Sequence, residues 1–172
     1  MTAEIDAYWD EFMAAVADAD QPRSAFAVLQ RITEETVGTK LFTAMTYDPV
    51  AGLARRTYSG NEAAYPTGGF KPMSIGIWSQ TVIEEKRPYV SNTIEEIAAV
   101  FPDWPLILSL GCESGCNIPV VIAGAVVGTL NLLDVKGYYT PQRMRAAMKL
   151  TPYAAIAFMA ADQAARVAAA AA

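Results

Sequence analysis

Cys112-Glu113-Ser114-Gly115-Cys116-Asn117-Ile118-Pro119, running on through Val120 to Asp134, is the stretch whose reading decides the fold. It holds both cysteines of the chain and leads into two apolar runs, 117–122 and 125–133. Both runs are rich in β-branched and aliphatic residues, as strands are. Ala123-Gly124 between them forms a tight turn, so the two pair as a hairpin. Within the second strand Thr129 and Asn131 lie two apart and share a face, while Gly128, Leu130 and Leu132 make a face suited to a helix. Polar groups on a central strand need partners, which either a pocket ligand, a water or the core itself supplies.

Downstream of this hairpin, Thr140 as cap and Pro141 at the first position open a long helix. It is predicted to run to about Ala168 with a kink at Pro152, leaving 169–172 as a frayed tail. Upstream, Leu106 to Leu110 is apolar and ambiguous between helix and strand. Trp78 to Glu85 and Thr93 to Val100 are predicted as short helices, the second capped by Asn92 or Thr93, with a short strand at Arg87 to Ser91 between them. Residues 59–75, with Gly60, Gly68, Gly69, Pro66 and Pro72, are predicted as loop. Leu41 to Tyr47 and Leu53 to Tyr58 form a second hairpin, with Arg55 and Arg56 on its second strand.

At the start, residues 3–18 space Ile5, Tyr8, Trp9, Phe12, Met13 and Val16 as an amphipathic helix. Asp20-Gln21-Pro22 breaks it. Pro22 then suits the first turn of a second helix carrying Phe26, Val28, Leu29, Ile32 and Val37, stopped by Gly38. Strands that pair mostly with sequence neighbours make an antiparallel sheet and an α+β class. The expected architecture is a central sheet of five or six strands, with the N- and C-terminal helices on one face. The excursion 59–112 covers the other face and leaves a pocket. One domain spans 1–172: an N-terminal helix over 1–20, a core over 22–168 and the tail.

Composition excludes whole classes of function. Apolar residues make up 53% of the chain and charged ones 18%, with a formal net charge of −5. The basic residues are scattered, so no nucleic-acid partner is expected, and an acidic surface argues against an anionic membrane. No apolar run approaches the roughly eighteen residues of a membrane span. Glu4, Asp6, Asp10 and Glu11 do not fit a secretory signal, so the protein is expected in the cytoplasm with reduced cysteines. The chain has no histidine, which removes Ser-His-Asp and Cys-His catalysis, nearly all zinc and non-haem iron sites, and His-ligated haem. Neither a metal nor a cofactor is expected, since C-x-x-x-C without further ligands does not complete a zinc site.

Asn117-Ile118-Pro119-Val120-Val121, followed by Gly124-Ala125-Val126-Val127-Gly128-Thr129-Leu130-Asn131-Leu132, resembles the GAF domain family. Members show a Val-Pro-Leu-like strand, a turn with Gly, then Gly-x-x-x-Gly-x-Leu-x-Leu. Ala154-Ala155-Ile156-Ala157 and the run from Ala161 to Arg166 resemble the family's closing helix. The resemblance covers residues 22–168 and is distinctive over 117–166. It implies a central antiparallel sheet, flanking helices that form a dimer bundle, and a small-molecule pocket. Members that bind bilin or haem use histidine, and the cyclic-nucleotide members carry an Asn-Lys-Phe-Asp-Glu signature; neither feature is present. With no room for an effector domain, the chain is expected to act through a separate effector protein or to do chemistry itself.

Cys112-Glu113 also has a weaker similarity to the free methionine-(R)-sulfoxide reductases within the family, whose reactive cysteine sits in a Cys-Asp context before the Val-Pro strand. The departures are a missing glutamate where Cys116-Asn117 stands, Asn131 and only Asp134 where two acidic residues occur, and a shorter interval from cysteine to proline. If the chain is an enzyme, Cys112 is the nucleophile, Cys116 the resolving thiol and Glu113 the proton donor. In a binding module, Tyr65, Trp78, Trp104, Cys112, Glu113, Cys116, Asn117, Thr129 and Asn131 are the candidate ligand contacts.

Three functions therefore stand at the level of sequence. The first is a cytoplasmic, sensor-type module that binds a small molecule and acts in trans as a homodimer through its terminal helices. The second is a cysteine-dependent reductase. The third is a structural dimerisation module with a filled pocket.

Overall fold

Among the described residues, six strands build one sheet: β1 (Leu41–Asp48), β2 (Leu53–Ser59), β3 (Gly68–Pro72), β4 (Tyr89–Ser91), β5 (Ser114–Ile122) and β6 (Ala125–Asp134). Their order is β3-β2-β1-β6-β5-β4, every neighbouring pair antiparallel. The structure is a computed structural model and describes residues 5–73 and 75–172. The beginning of the helix expected over 3–18, and Ser74 of the excursion, lie outside the described residues.

Helices occupy one face. A 3₁₀ turn (Ile5–Tyr8) leads into α1 (Trp9–Ala17), followed by α2 (Arg23–Thr36). Phe12, Phe26, Leu29 and Ile32 of these helices bury against Phe42, Ile118, Leu130 and Leu132 of the sheet. The excursion covers the other face with α3 (Ile77–Ser79, continued by a π turn Gln80–Glu84), α4 (Ile94–Ala98) and α5 (Trp104–Ser109). The Thr93 hydroxyl caps α4 by accepting from the Glu96 N–H at 3.2 Å. Pro105 in the first turn of α5 settles the ambiguous 106–110 run as helix.

Sequence expectation and structure part at four places. Residues 68–72 are a strand, not loop. β3 is an edge strand, where Pro72 need not donate to a ladder on both sides, and Gly68 and Gly69 adopt positive φ beside a bulge opposite Arg55 and Arg56. The closing helix is two helices, α6 (Pro141–Met148) and α7 (Thr151–Ala170), not one kinked at Pro152. Proline lacks the N–H that an uninterrupted helix needs and clashes with the carbonyl four residues back. The chain therefore stops at Lys149-Leu150 and restarts with Pro152 in the first turn of α7. Helix α7 also includes two residues of the expected tail. Finally, β5 begins at Ser114, not Asn117, so Gly115 and Cys116 are strand residues and not part of a turn.

The Thr140 cap, the Ala123-Gly124 turn and the Gly38 stop are as expected. The Thr140 hydroxyl accepts from the Arg143 N–H at 3.3 Å. Ala123 and Gly124 both take positive φ, +49° and +81°, the conformation of a two-residue hairpin turn. At Gly38, φ is +87° and an added Cβ would lie 1.9 Å from the Tyr138 hydroxyl, so only glycine fits the stop after α2.

Candidate functional site

Between sheet and excursion lies a cavity of about 340 Å³. Strand alternation supplies its floor: Thr43, Met45 and Tyr47 from β1, Ala54 and Arg56 from β2, Asn117 from β5 and Asn131 from β6. Tyr65, Met73, Trp78, Phe101 and Ile107 close it from the excursion.

The polar floor residues form one connected network. Trp78 Nε1 donates to Asn117 Oδ1 at 3.1 Å, and Asn117 Nδ2 donates to Asn131 Oδ1 at 2.7 Å. The Thr129 hydroxyl donates to the same Asn131 oxygen at 2.9 Å, and Asn131 Nδ2 donates to the Thr43 hydroxyl at 3.3 Å. The Tyr47 and Thr129 hydroxyls are 3.2 Å apart and share a hydrogen bond. Cross-strand pairing sets this up, since Asn131 lies opposite both Asn117 and Thr43 in the ladders. The roof is thus tied to the floor through Trp78, whose ring also packs on Tyr47 at 5.7 Å between centroids.

Arg56 faces the cavity by regular alternation with Ala54, and a bulge in β2 ends that alternation just after it. Met45 pairs with Arg56 and Ala44 with Tyr58, leaving Thr57 as the extra residue. Ahead of the bulge, Ala54 and Arg56 face the cavity; after it, Tyr58 faces the helices and stacks on Phe26. The Arg56 guanidinium sits 4.8 Å above the Tyr65 ring, and Nη1 donates to the Pro66 carbonyl at 3.1 Å. Tyr65 in turn donates its hydroxyl to Asp103 Oδ2 at 2.8 Å.

Burial pushes the Tyr47 phenol up to about 12, opposed by its bond to Thr129 and by the Arg56 charge. Burial, then the bond to the Asp103 carboxylate, raises Tyr65 further. Both stay protonated hydrogen-bond donors at neutral pH.

Among the expected ligand contacts, Tyr65, Trp78, Cys116, Asn117 and Asn131 border the cavity. Thr129 is fully buried beneath it and joins the network through its hydroxyl. Trp104, Cys112 and Glu113 are not among the lining residues. Trp104 opens α5 and is 38% exposed, Glu113 precedes β5, and Cys112 packs with Leu41, Tyr65, Ile97 and Ile107. Cys116, next to Asn117 in β5, turns its side chain to the helix face and packs with Ile118, Leu132 and Tyr139. The two thiols are free and occupy separate clusters on opposite faces of the sheet. Burial raises the pKa of both above the ordinary thiol range. Among the described residues, no group of three or more His, Cys, Asp or Glu side chains could hold a metal ion.

Sequence reading missed Thr43, Tyr47, Arg56 and Ser91. Thr43 and Tyr47 carried a readable signal, the odd-numbered face of β1. Arg56 carried a partial one, a charge two residues from the apolar Ala54 in a strand.

A family model described as GAF domain matches residues 10–159. The chain belongs to the GAF domain family. These are sensor and ligand-binding domains. Solved structures agree in fold. The GAF domain of a phosphoenolpyruvate-protein phosphotransferase from Coxiella burnetii superposes with a TM-score of 0.65 at 16% identity, covering 96% of each chain. The phycoerythrobilin-bound GAF domain of a cyanobacterial phytochrome gives 0.67 at 10% identity, covering 94% of this chain and 97% of that one. The GAF domain of a two-component sensor histidine kinase from Bacillus halodurans gives 0.64 at 11% identity, over 80% and 93%. Comparison with the curated proteins gives no match. Among the described residues of this GAF domain, no helix is long and apolar enough to cross a membrane.

Proposed function

We propose that this GAF domain is a cytoplasmic sensor that binds a small molecule in the cavity and acts in trans, as a homodimer, on a separate effector protein. The observation that carries the reading is the cavity of about 340 Å³ between sheet and excursion, at whose edge the Trp78–Asn117–Asn131 hydrogen bonds hold a roof residue to the floor. That volume is at the low end of ligand pockets, about 300–1,000 Å³. A purely structural module has no use for an open, polar-floored cavity. The reductase reading gains nothing from two buried thiols in separate clusters with raised pKa values.

The dimer is supported by apolar side chains left open on the terminal helices: Trp9 at 44% and Met13 at 36% on α1, Met159 at 50% and Val167 at 59% on α7. Two free cysteines in separate clusters fit a reducing, cytoplasmic setting.

The test is native mass spectrometry of the purified protein, followed by thermal-shift screening against a broad metabolite panel. The expected result is a co-purifying species or a compound that raises the melting temperature, with the gain lost in Asn131→Leu and in Asn117→Leu. A protein with nothing bound and no shift anywhere in the panel would sink the proposal.

A further inference from the structure

The charge inside the cavity opposes that of the chain. The protein has 13 basic and 18 acidic residues, yet the charged residues lining the cavity are Arg56, Lys71 and Asp103. Two cations and one carboxylate face a space in an otherwise acidic molecule. The carboxylate is already occupied, as acceptor of the Tyr65 hydroxyl. Arg56 is not: among the described residues, Nη1 alone of its guanidinium nitrogens has an acceptor, the Pro66 carbonyl. Nε is buried and unpartnered. A second buried, unpartnered polar atom, Ser91 Oγ, borders the same cavity from β4.

Buried donors of this kind are normally satisfied, and a charged one left bare is costly. A guanidinium presents its N–H groups as a fork, and the edge that includes Nε fits the two oxygens of a carboxylate. The Tyr65 ring beneath and the Pro66 carbonyl on Nη1 hold that fork in place. Beside the polar floor the cavity also has apolar walls, among them Leu41, Met45, Val100, Phe101 and Ile107.

We infer that the occupant of the cavity is a small monocarboxylate with an apolar body, its carboxylate paired with the Nε edge of Arg56 and its body lying against these walls. This rests on the reading of the cavity as a ligand site and names the chemistry of the ligand. Lys71 adds a second positive charge to the lining and favours the anion.

The experiment measures binding by thermal shift and calorimetry for aromatic and branched aliphatic monocarboxylates, phenylacetate and 4-methylpentanoate among them. Each is paired with its primary amide and with the phosphomonoester of the matching alcohol. The proteins are wild type, Arg56→Gln, Arg56→Lys and Asn131→Leu, with circular dichroism confirming that each is folded. Acids are expected to bind and amides not. Arg56→Gln should weaken the acid about tenfold to a hundredfold. Arg56→Lys should recover only part of the loss, because an ammonium lacks the fork. Equal binding of acid and amide, or full acid affinity in Arg56→Gln, overturns the carboxylate inference while leaving the cavity a ligand site. So does binding of phosphomonoesters in preference to acids. If no acid, amide or ester binds wild type, and the wider panel is also silent, the ligand-site reading fails with it.

Discussion

Gly128→Ala tests the closeness of sheet and closing helix on which this fold depends. Gly128 lies on β6 between Thr46 of β1 and Val120 of β5, at the middle of the sheet. A Cβ built there would lie 2.3 Å from Phe158 Cζ, 2.6 Å from Phe158 Cε1 and 2.5 Å from the Met45 carbonyl oxygen. Carbon atoms in contact normally stand about 3.5–4.0 Å apart, so the Phe158 ring must retreat by more than about 1 Å. It has little room, since its ring packs edge-on against Phe26 at 5.0 Å in a cluster with no exposed member. The Met45 oxygen is backbone, and moving it disturbs the β1–β6 ladder. Overpacking of this kind costs about 1–3 kcal/mol, and a double clash with one rigid partner belongs at the upper end, about 3 kcal/mol. For a chain of this length that is a fall in melting temperature of about 6–12 °C, read by circular dichroism. In a double-mutant cycle with Phe158→Ala, the alanine at position 128 should cost less but not nothing, because the Met45 contact remains. A Gly128→Ala protein melting within about 1 °C of wild type would refute the close-approach argument.

Asn117→Leu leaves Trp78 Nε1 without its acceptor and should cost about 1–3 kcal/mol, with a change in tryptophan emission; unchanged melting and emission would break the link drawn between roof and floor. Burial raises the native pKa values of Cys112 and Cys116, so the unfolded chain releases these protons first as pH rises. Their contribution to stability should be full below pH about 8.5 and fall as pH climbs from there toward the native values, with a shallower fall in Cys116→Ala under denaturant titration; equal slopes would contradict the assignment. Met159→Glu, on the open face of α7, should turn the proposed dimer into a folded monomer by sedimentation equilibrium, and a wild type that is itself monomeric would remove the dimer from the scheme.

Much of the floor was legible because β6 alternates cleanly: Thr129 and Asn131 on one face, Gly128, Leu130 and Leu132 on the other. The same rule places Asn117 beside them once its hairpin partner is known. What stayed hidden lies where a local irregularity overrides the pattern. The bulge at Thr57 breaks the period of two in β2, so Tyr58 no longer shares a face with Arg56. β3 reads as loop because glycine and proline dominate it, and only its position at the sheet edge makes them tolerable. Cys112 and Cys116 look like a pair at a spacing of four, but the strand that follows Cys112 begins three residues earlier than composition implies. The sheet then separates them.

The contact between Gly128 and Phe158 has a mechanical consequence. Thr129, one residue along β6, belongs to the polar floor, so the cavity and α7 are separated by a single strand's thickness. Phe158 seats α7, 20 residues long, on the sheet at this point and is where a fulcrum would lie. From that pivot to Ala170 the helix extends about 18 Å, so a rotation of about 5° at the fulcrum displaces its far end by about 1.5 Å. A tilt that small at the floor would be read as a translation at the end of α7.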